Sequence, residues 1–155
     1  MRKGIRYSRS VAETKRIARD IISRAAAEHS SPNALVISIF GELGAGKTSF
    51  VKGGAAFFGI PQKNITSPTF ALLKRHLIKR RGTGFRFFYH ADAYRIDNAR
   101  EFASLGFGDI TKDSESIVCV EWGERIRSLL PRNTLRISIG PGKKKNERTI
   151  SVNRR

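Results

Sequence analysis

One segment, Gly41-Glu-Leu-Gly-Ala-Gly-Lys-Thr48, constrains this chain more than any other. It matches G-x-x-x-x-G-K-[ST], the pattern of a loop whose backbone amides cradle phosphates. The apolar, β-branched residues 34–40 precede it, and after it Phe50, Val51, Ala55 and Phe58 recur at helical spacing. Strand, glycine loop and helix in this order predict a phosphate-binding loop rather than a glycine-rich turn carrying one exposed lysine.

Each residue type in this loop has a chemical reason. Glycines allow backbone torsions and a close approach that a Cβ would obstruct. Lys47 supplies a positive charge to the outer phosphates, and Thr48 offers a hydroxyl to Mg²⁺. We therefore predict ATP or ADP with Mg²⁺ as ligands, contacted by Gly41, Glu42, Leu43, Gly44, Ala45, Gly46, Lys47, Thr48 and Ser49.

The charge balance is extreme. Thirty lysines and arginines against thirteen aspartates and glutamates give a formal charge of +17 in 155 residues. Such a balance favours acidic partners, with RNA first and an anionic membrane surface second, although a general basic bias would give the same total. The length suits one domain spanning residues 1–155.

Cysteine usage and the N-terminus bear on the compartment. Cys119 is the only cysteine, so no disulfide is possible within the chain, and a reducing cytoplasm is expected. The basic N-terminal residues are not followed by an apolar segment typical of a signal peptide. Apolar runs are far shorter than a membrane span, so we expect no membrane association through a helix.

The remaining periodicities predict an α/β chain. Ser10 and Glu13 form a capping box before a helix over 11–28, and a short strand is expected near Ile5 and Tyr7. Two hairpins are predicted, 71–78 with 85–91 and 135–139 with 149–152, with a buried strand at 117–120. Short helices are expected at 99–105 and 122–130. Together these predict the three-layer P-loop NTPase fold, with a central, mainly parallel sheet and added antiparallel hairpin strands.

Two carboxylates end predicted strands. Glu121 follows the apolar run 117–120, where a P-loop protein needs an acid for Mg²⁺ or its waters; the alternative is an acid favouring the next helix dipole. Asp92 is a candidate to orient the attacking water or to hold a metal-bound water. Its alternatives are an ion pair with Arg95 or an Asx turn.

Two further features are ambiguous. Residues 67–70, Ser-Pro-Thr-Phe, are turn-prone, and Thr69 is a candidate sensor of the γ-phosphate. Trp122 is either a ring that stacks on the nucleotide base or an apolar anchor. The basic turn at 140–146 is either a nucleic-acid contact or a solvated loop, and His90 is more typical of a buried strand than of catalysis.

Taken together, the motifs resemble a known family. The P-loop, Ser67-Pro-Thr-Phe70, His90-Ala-Asp-Ala-Tyr-Arg95, Leu105-Gly106 and Glu121-Trp-Gly-Glu-Arg125, in this order, are similar to the TsaE (YjeE) family over about residues 8–140. That family comprises bacterial P-loop ATPases of tRNA threonylcarbamoyladenosine (t6A) synthesis. Gly123 replaces the proline common after Glu-Trp, and Ile96 a common leucine.

The resemblance implies an ATPase that assembles with the TsaB–TsaD pair and drives its turnover on adenosine 37 of tRNA, the transfer itself being done by TsaD. It also implies roles for individual residues. Lys47 and Thr48 bind phosphate and Mg²⁺, Glu121 associates with Mg²⁺, Asp92 is essential for catalysis, and Trp122 belongs to the nucleotide site.

Two other functions remain open on the sequence alone. A small-molecule or nucleotide kinase shares the P-loop but needs an arginine-bearing lid, for which residues 74–81 are the candidate segment. A basic RNA-binding module with a structural nucleotide would bind RNA in a salt-dependent way, regardless of ATP.

Overall fold

The computed structural model describes residues 4–154, the side chain of Arg154 excepted. Within these residues, seven strands form one sheet and four α-helices flank it. The strands are β1 Gly4–Ser8, β2 Leu35–Phe40, β3 Leu73–Leu77, β4 Phe87–Asp92, β5 Ser116–Glu121, β6 Leu135–Pro141 and β7 Arg148–Arg154. The helices are α1 Val11–Ala27, α2 Lys47–Phe57, α3 Ala99–Ser104 and α4 Phe107–Lys112, with short 3₁₀ turns at Gln62–Asn64 and Gly123–Ile126.

The strand order confirms the predicted sheet. It runs β1-β7-β6-β2-β5-β4-β3. The central strands β6, β2, β5 and β4 are parallel, whereas β3 is antiparallel to β4, and β7 is antiparallel to both β6 and β1. The carboxyl ends of β2, β4 and β5 therefore meet at one edge, which is where open α/β sheets bind ligands.

Two apolar clusters separate three layers. One cluster packs α1 and α2 against the sheet, with Phe50, Phe58 and Phe88 fully buried. The other packs α3, α4 and the 3₁₀ turn after β5 against the opposite face, with Phe102 and Phe107 at its centre. This arrangement confirms the three-layer architecture.

The capping box forms with a small difference from the prediction. Ser10 Oγ accepts from the Glu13 amide at 3.1 Å, and the Glu13 carboxylate accepts from the Arg9 amide at 2.8 Å, one residue before the cap. Val11, the first residue of this helix, is 61% exposed.

One helix prediction was wrong and one helix was missed. The segment predicted as a helix over 122–130 contains only the 3₁₀ turn Gly123–Ile126, because Trp122 adopts a left-handed backbone conformation (φ +59°) and redirects the chain. Helix α4 was not predicted, since its six residues follow Gly106 without a full apolar period. None of the helices in the described part of the chain is both long and apolar enough to cross a membrane.

Candidate active site

The P-loop joins the carboxyl end of β2 to the first turn of α2. Gly44 (φ +77°) and Gly46 (φ +103°) lie in the left-handed region that favours glycine. A Cβ on Gly41 would lie 2.4 Å from the carbonyl oxygen of Ile139. No side chain of the described residues caps α2. The helix therefore presents free backbone amides and its positive dipole end to the space in front of the loop.

Lys47 is buried at the base of this loop. Its Nζ donates to the carbonyl oxygens of Gly41 (2.7 Å) and Glu42 (2.9 Å) and lies 3.8 Å from the centroid of the Trp122 ring. Burial lowers the pKa of Lys47, and nearby carboxylates, Glu121 first, partly offset that effect. The ammonium therefore lies in a cage of carbonyl oxygens and one aromatic face, where an anion would stabilise it.

A buried chain of hydrogen bonds fixes Glu121. Thr48 Oγ1 donates to Glu121 Oε2 at 3.0 Å, and His90 Nε2 lies 2.8 Å from Glu121 Oε1. The backbone of Glu121 is paired with Ile39 of β2 and Asp92 of β4. One carboxylate thus connects α2, β4 and β5. His90 is buried, as its sequence context indicated, but its link to Glu121 was not predicted, because only the register between β4 and β5 brings the two together.

Asp92 is held differently. Its Oδ2 accepts hydrogen bonds from Ser67 Oγ and, at 3.0 Å, from Thr69 Oγ1, both in the loop between α2 and β3. Its Oδ1 accepts from the Tyr94 amide at 2.9 Å, which is the Asx turn considered above. Arg95 is not its ion-pair partner: the guanidinium lies 4.3 Å from the centroid of the Phe70 ring. The switch-like loop therefore binds the second carboxylate directly.

Trp122 closes one wall of the site. It is partly buried, packs at the margin of the second apolar cluster and lies 5.1 Å from the Tyr94 ring, centroid to centroid. Gly123 follows it against β2, where a Cβ would lie 1.9 Å from Ser38 Oγ. This contact explains why glycine, without a side chain, suits position 123 in a chain that has serine at position 38.

These side chains line one cleft of about 460 Å³. It brings together most of the predicted site, namely Leu43, Gly44, Gly46, Lys47, Thr48, Ser49, Thr69, Asp92, Glu121 and Trp122, with Ser67 and Tyr94 added. Gly41 and Glu42 do not line this cleft. Their carbonyl oxygens accept hydrogen bonds from Lys47, which does line it. Ala45 instead lines a cleft on the other side of the loop.

That second cleft, of about 350 Å³, was not predicted. Gly44, Ala45, Gly46 and Ser49 form its P-loop wall, and the opposite wall comes from distant segments: Ser8, Arg9, Ser10, Val11, Thr14, Asn146 and Arg148. Pairing of β1 with β7 brings those segments beside the loop. The two clefts share Gly44, Gly46 and Ser49, so the P-loop forms a ridge between them.

The donor set suits Mg²⁺ better than a transition metal. Within residues 4–154 no group of three His, Cys, Asp or Glu side chains is placed to hold a metal. The cleft instead offers the Thr48 hydroxyl bonded to the Glu121 carboxylate, with a second carboxylate, Asp92, beside the predicted phosphate-binding loop. Mg²⁺ is commonly held in this way, by one or two carboxylates with substrate phosphates and waters.

The sequence of this chain is similar to those of known proteins. The sequence model of the family described as Threonylcarbamoyl adenosine biosynthesis protein TsaE matches residues 8–150. A protein of Treponema pallidum (strain Nichols), named tRNA threonylcarbamoyladenosine biosynthesis protein TsaE, is 40% identical over 104 residues, covering 67% of this chain and 71% of that protein. A Bacillus subtilis (strain 168) protein of the same name is 36% identical over 104 residues, and the match spans 60% of its length.

A solved structure extends the likeness to the whole fold. The crystal structure of Bacillus subtilis YdiB superposes with a TM-score of 0.69 at 28% identity, covering 97% of this chain and 84% of that one.

Proposed function

Because the chain belongs to the TsaE family, we propose that it is a Mg²⁺-dependent ATPase of tRNA threonylcarbamoyladenosine synthesis. One observation supports this most directly. A free helix N-terminus, a buried lysine, a hydroxyl–carboxylate pair and a second carboxylate converge on one cleft. This is the set of groups that phosphoryl transfer to water requires.

In this proposal the triphosphate lies along the P-loop with its terminal phosphate in the cleft of Asp92 and Glu121. The amides at the start of α2 donate to the phosphate oxygens. Lys47 exchanges its bonds to the Gly41 and Glu42 carbonyls for phosphate oxygens, which raises its pKa towards the ordinary value, since an anion favours the charged amine. The nucleoside then crosses the ridge into the second cleft, between Ser10 and Arg148.

Thr48 and Glu121 would hold Mg²⁺, which when bound neutralises charge on the phosphates. His90 keeps the Glu121 carboxylate in place through its bond to Oε1. Both metal-holding residues are anchored on regular elements, α2 and β5, so their positions do not depend on a loop.

Asp92 would orient the water that attacks the γ-phosphate. It lies one strand away from Glu121, in register with it, and lines the same cleft. The carboxylate accepts a hydrogen bond from the water, whose oxygen attacks the phosphorus as the bond to the β-phosphate breaks. Ser67 and Thr69 both donate to Oδ2. In this proposal the attacking water binds that oxygen in place of one of the two hydroxyls, so the loop acts as a gate.

We propose that the partners are the TsaB and TsaD subunits in the cytoplasm, and that the chain drives their turnover while TsaD transfers the threonylcarbamoyl group. In isolation we expect slow hydrolysis, because the gate holds Asp92 with loop hydroxyls. Contact with TsaB and TsaD is expected to release it. In this assembly, tRNA is contacted mainly by TsaB and TsaD.

The kinase alternative is less consistent with the fold. Its candidate lid is part of the β3–β4 hairpin, and the turn of that hairpin bonds to the Phe58 carbonyl at the far end of α2. An eleven-residue helix is about 16 Å long, so this turn lies well away from the P-loop. An ATPase without an acceptor needs no such lid.

The test is phosphate release from ATP, measured with the chain alone and after co-purification with TsaB and TsaD, in Mg²⁺ and in EDTA. We expect slow Mg²⁺-dependent release that the partners accelerate, with no phosphorylated acceptor. Transfer of the phosphate to a small molecule or nucleotide would support a kinase instead. Release that is equal in EDTA would contradict the metal role.

A further inference from the structure

The positive charge of this chain is concentrated in one stretch. Between Glu42 and Asp92 the sequence contains no aspartate or glutamate but nine basic residues: Lys47, Lys52, Lys63, Lys74, Arg75, Lys79, Arg80, Arg81 and Arg86. Six of these nine, from Lys74 onward, lie on β3 or on the connection from β3 to β4. That hairpin forms the edge of the sheet, since among the described strands β3 pairs only with β4.

The arginines of the hairpin stack on aromatic rings. Arg75 and Arg86 each place the guanidinium carbon 5.2 Å from the centroid of Phe87, and Arg80 lies 4.4 Å from that of Phe57. Because the Arg75 and Arg86 distances end at the same Phe87 centroid, the two guanidinium carbons are no farther apart than the sum of these two distances. Stacking fixes the plane of a guanidinium and leaves its N–H edge free, which is the geometry that grips a phosphate in two places.

No carboxylate neutralises this group within the described residues. Ion pairs do form elsewhere, for example Asp20 with Arg6 and Arg24 on α1. No nitrogen of Arg75, Arg80, Arg81 or Arg86 lies within 4 Å of a described carboxylate oxygen. The Asp113 carboxylate, which lies just before β5, instead accepts hydrogen bonds from the Ser116 hydroxyl and the Glu115 amide.

The other basic segment of the chain differs. The turn between β6 and β7 carries Lys143, Lys144 and Lys145, but the buried Glu147 beside it accepts from the Lys143 amide at 2.9 Å and lies 3.6 Å from Arg9. Its lysines are exposed, and no ring among the described residues stacks on them. The turn between β6 and β7 is therefore typical of a solvated loop. At the β3–β4 hairpin, by contrast, the clustered arginines that pack on aromatic rings favour binding of a polyanion.

We infer that the β3–β4 hairpin binds the phosphate backbone of an RNA. The contact is electrostatic and independent of sequence: Arg75, Arg80, Arg81 and Arg86 grip phosphates, and the half-buried Phe87 supports the guanidiniums. The site is separate from the nucleotide cleft, because the hairpin turn lies at the opposite end of α2. RNA binding therefore goes beyond the proposed ATPase and does not require it.

The experiment is fluorescence anisotropy of a labelled tRNA transcript, without nucleotide, over a series of KCl concentrations. The triple variant R75Q/R80Q/R86Q is compared with the control K143Q/K144Q/K145Q, which removes the same charge from the turn between β6 and β7. Glutamine keeps part of each side-chain stem against its ring. Thermal melts verify folding, and Arg81→Glu, at an exposed position, repeats the test if the triple variant unfolds.

For the hairpin variant we expect at least about a tenfold loss of affinity and a salt slope lower by about two to three, since each phosphate contact contributes about 0.7–0.9. The control should stay within about threefold of wild type, and phosphate release from ATP should be unchanged in both. Equal losses in the two variants, or unchanged binding in the hairpin variant, would overturn the inference. So would wild-type protein that binds vesicles of phosphatidylglycerol but not the transcript.

Discussion

The two carboxylates of the candidate site end neighbouring strands in register, yet the protein holds them in opposite ways. Glu121 belongs to a fixed half, comprising Lys47, Thr48, His90 and Glu121 itself, whose members lie on α2, β4 and β5. Asp92 belongs to a loop half, in which Ser67 and Thr69 supply its hydrogen bonds.

This difference separates two tasks that a phosphoryl-transfer site must perform. A metal and a triphosphate need groups that are in position before the substrate arrives, because charges already in place require no reorganisation during the reaction. Water activation benefits from a group that becomes available only when the site is complete. The fixed half suits the first task and the loop half the second.

The largest effect is expected from the fixed half. Glu121→Gln keeps the size of the side chain but removes the charge opposite Thr48, so Mg²⁺ loses its protein carboxylate. We expect phosphate release to fall by about a thousandfold, at the upper end of the loss from one electrostatic group. Turnover within tenfold of wild type at saturating Mg²⁺ would place the metal elsewhere.

Asp92→Asn tests the loop half. We expect phosphate release to fall by about a hundredfold, as for loss of a general base, while the Kd for ATP stays within a few fold. Turnover and ATP affinity are measured on the same preparation. A large loss of affinity would assign Asp92 to the metal-holding set and remove the division of labour between the two halves.

His90→Asn examines how the fixed half is held. Without the bond to Oε1, the Glu121 carboxylate is free to turn. We therefore expect the Mg²⁺ concentration that gives half-maximal turnover to rise by about tenfold, as is typical when a metal ligand loses its hydrogen-bond partner. His76→Asn, on the adjacent strand but without a bond to Glu121, is the matched control. Similar shifts in both variants would indicate a packing effect rather than positioning.

The smallest effect is expected from Ser67→Ala. Removing one hydroxyl from Asp92 should raise the phosphate release of the isolated chain by about two- to fivefold, equivalent to at most one hydrogen bond. The KM for ATP should not change. A slower enzyme would show that the loop orients Asp92 for catalysis instead of restraining it.

The sequence predicted most of the fixed half because its members have local signatures. A glycine loop between a strand and a helix identifies Lys47 and Thr48, and a polar residue after an apolar strand identifies Glu121. The parallel centre of the sheet followed from the same apolar runs. Such features depend on residues adjacent in the chain, where periodicity and motif spacing are informative.

The parts that were missed depend on long-range pairing. The bond between His90 and Glu121 requires the β4–β5 register, and the second cleft requires β1 to lie beside β7. The predicted helix after Trp122 does not form because that residue turns the chain in a left-handed conformation, which residues other than glycine seldom adopt. No local pattern carries this information.

Calorimetric titration with ATP decides whether Lys47 and the fixed half bind a Mg²⁺-triphosphate. Wild-type protein is compared with Lys47→Ala, each with Mg²⁺ and with EDTA, after thermal melts confirm that both are folded. We predict one saturable site in the wild type, weakened without Mg²⁺ and lost in the variant. Equal binding by the two proteins would contradict it.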